Sequence, residues 1–315
     1  MWVFFGFGGF TLGGMVRLPD ATRDSASETR PGPLRPSARK AAVGGLLLLV
    51  LAATPAVAHL KKDATGEFAA RQIPATAAVA EPVVAAVPKA APAPKSLPTI
   101  DYWDSPQGFA PDVAARSVAA VTEGLHPKHK LPVYDAPGGV PRAFLARTIS
   151  GLPVTVPIVE RRQGWAGVLL PSVNRRVGWL PPGGWETREL KDQLTVDLSE
   201  HRLTWLRDGR ERGAWTVAVG SRRTPTPLGR TFVLGRTITH GHVYAGLDAL
   251  VLGAVPDDRD ALSASLRNGH TAIHAWREES AFGRSISNGC VRMPPDVQRE
   301  LLAHIGPGTV VQVVR

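Results

Sequence analysis

The stretch Leu194-Thr195-Val196-Asp197-Leu198 alternates apolar and polar side chains, and Leu203-Thr204-Trp205-Leu206 does the same just before Asp208-Gly209. Successive side chains of a strand point to opposite faces, so this alternation predicts strands with one face buried. Asp-Gly accepts positive φ at both central positions of a two-residue turn, and the run Ala214 to Val219 supplies the return strand of a hairpin. Glycine and proline at Gly220 and Thr226-Pro227-Leu228-Gly229 end that strand and precede another at Thr231 to Leu234. One helix is predicted, Asp296 to Ile305. It follows Pro294-Pro295, places Val297, Leu301, Leu302 and Ile305 on one face, and stops before Gly306. The expected fold class is mainly β, with one or two short helices.

Upstream, short β-type runs alternate with turn residues: Leu131 to Tyr134, Val154 to Val156, Trp165 to Leu170 and Val177 to Leu180. Four or five such strands predict a small barrel over 128–190, with a second unit over 191–315. Core packing is the expected role of Trp165 and Trp179, with ligand stacking as the alternative. Residues 101–127 carry a weak helix signal from Val113 to Gly124. From His59 to about Thr99 the chain is rich in Ala, Pro and Val, which predicts an extended, mobile linker; it forms, with the ambiguous segment, a region over 59–127.

Residues 1–58 read as an export segment. Three basic residues between Arg35 and Lys40 precede the apolar run Ala41 to Ala53, and Ala56-Val57-Ala58 is a small-residue cleavage pattern. A signal peptide is the first reading. An uncleaved anchor is the second, since Ala41 to Ala58 is just long enough to cross a bilayer. Met15 is an alternative start.

The formal charge of +10 favours a polyanionic environment. The basic residues are scattered, with neither zinc-finger spacing nor an RNA-binding aromatic motif, so nucleic acid is not an expected partner. A single cysteine rules out an internal disulfide, and with dispersed histidines it offers no metal-ligand spacing. No metal or cofactor is expected.

That one cysteine stands in Ser287-Asn288-Gly289-Cys290-Val291-Arg292-Met293. A glycine turn ahead of it can present a thiol and leave backbone N–H groups, Gly289 first, as donors to a substrate oxyanion. A thiol ordinarily ionises near pH 8.5 and needs a base beside it; His274, in Ala272-Ile273-His274, is the best candidate, ahead of His240, His242 and His270.

Ile273-His274, Gly283 and the Ser287 to Met293 motif resemble the active-site signature of the YkuD-type L,D-transpeptidase catalytic domain. Val219-Gly220 and Thr226-Pro227-x-Gly229 resemble its earlier landmarks. Gly164-Trp165 and Gly178-Trp179 around Leu169-Leu170-Pro171 resemble a bacterial SH3-like domain. The resemblance implies an exported cell-envelope enzyme acting on peptidoglycan stem peptides within the wall polymer, and touching membrane only if the signal segment stays uncleaved. It implies Cys290 as nucleophile, His274 as base, and Ser287 as a catalytic residue that orients His274 or supports the nucleophile turn. Gly289, Asn288 and Arg292 become oxyanion or substrate-binding candidates, Arg292 either holding the turn or meeting a substrate carboxylate. Two residues depart from the pattern: Ala275 replaces the usual glycine, and Asn288 stands where some members carry histidine.

Other readings are an L,D-carboxypeptidase of the same fold and a non-catalytic wall-binding protein. Retention of both Cys290 and His274 argues against the second. Sortase-like and papain-like enzymes fit poorly, because their cysteines sit in a different context or well before the histidine.

Overall fold

The computed structural model describes residues 86–315 except 105, 174, 256, 263–265 and 268. The export segment and residues 59–85 of the linker lie outside the described residues. The described chain is mainly β, with two large sheets and one α-helix.

The first sheet runs in the order Trp185–Glu189, Glu123–Pro127, Val156–Arg162, Trp165–Leu169, Arg176–Leu180, Leu131–Tyr134, Pro141–Leu145, every neighbour antiparallel. Ala110–Pro111 adds a short strand beside Arg176–Leu180. Both tryptophans are buried in its core with Leu125, Val133, Leu145 and Val168. The glycines near them make room for close packing. A Cβ on Gly167 would lie 3.1 Å from the Trp179 ring, and one on Gly178 would lie 2.4 Å from Val133.

Three sequence expectations need correction here. The sheet begins at Glu123–Pro127 rather than at residue 128, and includes Ala110–Pro111. Val113 to Gly124 is not helical. Its alanines favour a helix, but the Ala115 carbonyl accepts the Arg230 N–H and the Gln312 side-chain amide, which straps the segment across the second sheet. Tertiary bonds override a weak local preference. Finally, residues 86–99 are not a free tether: the Tyr134 hydroxyl donates to Ala91 O at 2.6 Å, Trp165 Nε1 donates to Pro88 O at 3.0 Å, and Thr99 bridges Phe144. Proline-rich backbone leaves its carbonyls unpaired, and the polar tips of two core aromatics use them.

The second sheet runs Arg210–Thr216, Arg202–Arg207, Asp192–Asp197, Val310–Val314, Gly229–Thr237, Ala249–Leu252, Ala272–Ala275, Val291–Met293. Two pairs are parallel, Asp192–Asp197 with Val310–Val314 and Ala272–Ala275 with Val291–Met293. The predicted hairpin closes at Asp208 and Gly209, with φ of 52° and 73°, as a two-residue turn requires. The helix Pro295–His304 starts with proline in its first turn, and drives Val297, Leu301 and the following Ile305 into a core with Ile273, Val291 and Met293.

The two sheets share apolar packing. Phe232, Leu234 and Val251, from the second sheet, belong to the core of the first. Beside them Arg230 and Asp112 form a buried two-pronged ion pair at 2.9 and 3.0 Å.

Candidate active site

Three of the predicted site residues come together through strand register. Across the parallel pair, Ile273 faces Val291, His274 faces Arg292, and Ala275 faces Met293. Ile273, Val291 and Met293 are all in the core. Alternation therefore turns His274 and Arg292 to the opposite face, and Cys290, two residues before Arg292, enters the strand on that same side.

The cysteine is presented by a turn. The strand Ser285–Ser287 ends at buried Ser287, Asn288 is exposed at the tip, and Gly289 has φ of 108°, a conformation that strains any side-chain-bearing residue. Ser287 Oγ accepts the Gly289 N–H at 3.1 Å and donates to the Cys290 carbonyl at 2.5 Å. Of its two expected roles, this geometry supports bracing the turn; no bond joins Ser287 to His274. The same bond changes the expectation for Gly289. Its N–H is given to Ser287 Oγ and so is not a free oxyanion donor in this conformation.

His274 is buried, and its Nδ1 lies 2.9 Å from the Ala275 carbonyl. A carbonyl only accepts, so Nδ1 carries the proton and Nε2 keeps its lone pair. Burial pushes the imidazole down to about 4; the Ala275 carbonyl works against this and the Arg292 charge adds to it. Cys290 is half-buried. Burial raises its thiol, while a backbone hydrogen bond from Ala272 and the charge of Arg292 pull it back. Both shifts favour the uncharged forms, thiol and imidazole.

Sequence reasoning missed two aromatic residues at this site. The Tyr244 ring meets His274 edge-on at 5.0 Å, and Trp276 lies 5.9 Å from His274 and 5.7 Å from Tyr244. Arg292 stacks on Trp276, its guanidinium carbon 3.8 Å from the ring centre. Trp276 was legible in principle, because it lies two residues beyond His274 and so continues the same strand face. Tyr244 comes from the short 3-10 turn His242–Tyr244, thirty residues upstream, and no local pattern marks it. That loop is tied to the strand end by Arg277 N–H donating to Val243 O.

The rival histidines go elsewhere. His270 lies between the Leu252 and Tyr102 carbonyls, 2.8 Å from each, and His240 and His242 are exposed. Among the described residues no group of three His, Cys, Asp or Glu side chains is placed to hold a metal ion.

Residues 191–313 match the family model for the YkuD L,D-transpeptidase catalytic domain. The Bacillus subtilis (strain 168) protein YkuD, named as an L,D-transpeptidase, is 25% identical over 122 residues, which are 39% of this chain and 65% of that protein. The chain thus spans somewhat less than two thirds of that relative. Among solved structures, an L,D-transpeptidase from Mycobacterium smegmatis is 14% identical, covering 51% of this chain and 82% of that one, with a TM-score of 0.34. L,D-transpeptidase 3 from Mycobacterium tuberculosis, in complex with a faropenem-derived adduct, is 17% identical over 45% of this chain and 74% of that one, with a TM-score of 0.33. The family model and the Bacillus relative support an L,D-transpeptidase catalytic domain over residues 191–313.

Proposed function

We propose that this chain is an exported cysteine L,D-transpeptidase that cross-links stem peptides of peptidoglycan in the cell envelope. The observation that carries the reading is the parallel register of Ala272–Ala275 and Val291–Met293, which sets Cys290 and Arg292 on one face with a histidine whose Nε2 is free.

As Cys290 Sγ attacks the carbonyl of the third residue of a tetrapeptide stem, its proton passes to His274 Nε2. The tetrahedral intermediate collapses, the C–N bond to the terminal D-alanine breaks, and the imidazolium returns the proton to the leaving amine. A thioester remains. A side-chain amine of a second stem then attacks it, giving its proton to His274, and the thiol is released with a three-to-three cross-link formed. In the first step His274 acts as a general base for the thiol. Tyr244 and Trp276 pack against the imidazole from one side, edge-on and tilted, and contribute to its burial.

Mass spectrometry of the purified protein after exposure to a disaccharide tetrapeptide tests the reading. A thioester on Cys290 and a cross-linked dimer are expected. Product formation without any Cys290 adduct would overturn the mechanism, and hydrolysed tripeptide as the only product would make the enzyme an L,D-carboxypeptidase.

A further inference from the structure

The strand Val219–Gly220 runs parallel to Ser285–Ser287. At the same end, one strand leads into the nucleophile turn and the other into the turn Ser221 to Thr224. The two turns are fastened together: Ser221 N–H and Thr224 Oγ1 both donate to the Ser287 carbonyl, at 2.8 and 3.0 Å. Thr224 N–H closes its own turn onto Ser221 O at 3.1 Å, and Gly220 N–H donates to Thr226 Oγ1 at 2.9 Å. The packing leaves no slack, since a Cβ on Gly220 would lie 2.3 Å from Thr226 N and 2.4 Å from Thr224 O.

At the tip of this turn stand Arg222 and Arg223, both exposed. Among the described residues neither has an ion pair or a side-chain hydrogen bond. Arginines of the first sheet behave otherwise: Arg142, Arg161 and Arg188 each hold a carboxylate at 2.7 to 2.8 Å. The chain carries no Asp or Glu between Glu211 and Asp248, nor between Glu279 and Asp296. Those two stretches supply both turns. Two arginines consecutive in sequence, without a counter-ion among the described residues and carried on a turn held by these bonds, suit an oxyanion, and the planar fork of arginine matches a carboxylate.

We propose that Arg222 and Arg223 form an anion subsite of the Cys290 centre and hold a carboxylate of the donor stem peptide. The inference rests on the transpeptidase reading, and makes these two residues determinants of substrate specificity. A phosphodiester of another wall polymer presents similar chemistry, so the test separates the two sources.

Binding is measured by calorimetry on the full chain carrying Cys290→Ala, with and without Arg222→Gln and Arg223→Gln. The probes are a synthetic tetrapeptide stem, versions amidated at each carboxyl in turn, and a glycerol-phosphate polymer. The paired glutamines are expected to weaken tetrapeptide binding about tenfold. Amidating the contacted carboxyl is expected to weaken the arginine protein by a similar factor and the glutamine protein no further. Arg222→Lys with Arg223→Lys is expected to restore part of the loss. Equal tetrapeptide affinity with and without the arginines would overturn the subsite. So would a loss that is the same for every amidated probe, or one confined to the phosphate polymer. The wild-type protein is treated with the tetrapeptide alongside: an absent Cys290 thioester removes the transpeptidase reading, whereas a thioester with arginine-independent binding removes the subsite alone.

Discussion

The guanidinium of Arg292 lies 3.8 Å from the centre of the Trp276 ring, directly across the strand pair from His274. Its Nε is buried without a hydrogen-bond partner among the described residues, so stacking is what fixes it. Its charge helps to keep His274 neutral. Arg292→Met is therefore expected to raise the imidazole, though only partway, because burial is the larger cause. An NMR titration of His274 in both proteins checks this; an unchanged midpoint would mean that the Arg292 charge is screened.

Acid should weaken the fold through the same histidine. His274 titrates at about 4 in the folded protein, against an ordinary value near 6.5 in the unfolded chain. Between those values the unfolded state takes up a proton that the folded state refuses, so stability falls as pH drops through this window. The full loss is about 3 kcal/mol, and above pH 6.5 the effect vanishes. Urea unfolding at pH 7 and pH 4.5 should show a shallower decline for His274→Gln than for wild type.

Ser287→Ala removes the acceptor for Gly289 N–H and the donor to Cys290 O. A loss of roughly 1 to 3 kcal/mol is expected in thermal or urea denaturation, together with slower acylation. Ser287→Thr, which keeps the hydroxyl, should retain most of both. An alanine variant with wild-type stability and rate would show that the glycine turn holds its shape unaided.

Carbapenems are expected to acylate Cys290, since a strained β-lactam carbonyl resembles the stem amide. Cys290→Ala should form no adduct, and His274→Ala should react roughly 10²- to 10⁴-fold more slowly near neutral pH while remaining folded. Alkali should narrow that gap, but later than for an exposed thiol, because burial raises Cys290. Adduct mass against time, with circular dichroism as the folding control, measures this. Equal rates at neutral pH would remove His274 from the mechanism.

Asp112→Ala would strand the buried guanidinium of Arg230. Breaking a buried pair from one side typically costs about 3 to 5 kcal/mol, far more than cutting an exposed pair such as Arg188 with Glu186. Denaturation of Asp112→Ala and Glu186→Ala side by side gives the comparison, and similar small losses would show that water reaches Arg230.

Alternation and turn chemistry made much of the second sheet readable. Leu194, Val196, Leu203 and Trp205 point inward as their spacing requires, and the Asp208-Gly209 turn and the C-terminal helix fall within a residue or two of expectation. His274 and Cys290 were singled out through their motif. What was hidden depends on distant partners. Tyr244 reaches His274 from a loop, Ala115 is recruited by Arg230 and Gln312, and Pro88 and Ala91 are held by aromatic side chains far along the chain. Local composition carries no record of such bonds. The SH3-like resemblance and the export segment remain expectations drawn from sequence alone.

Phe232 and Leu234 occupy the strand that also pairs with Val310–Val314, yet their side chains fill the core of the preceding sheet. A boundary drawn at residue 190 therefore separates two stretches of sequence that share one interior. Cleaving the chain there would expose Phe232, Leu234 and Val251 to water, along with the arginine that Asp112 neutralises. The N-terminal sheet supplies half of an interior that the second sheet completes, so the two parts should unfold in a single transition, and heat that loosens one should loosen the other.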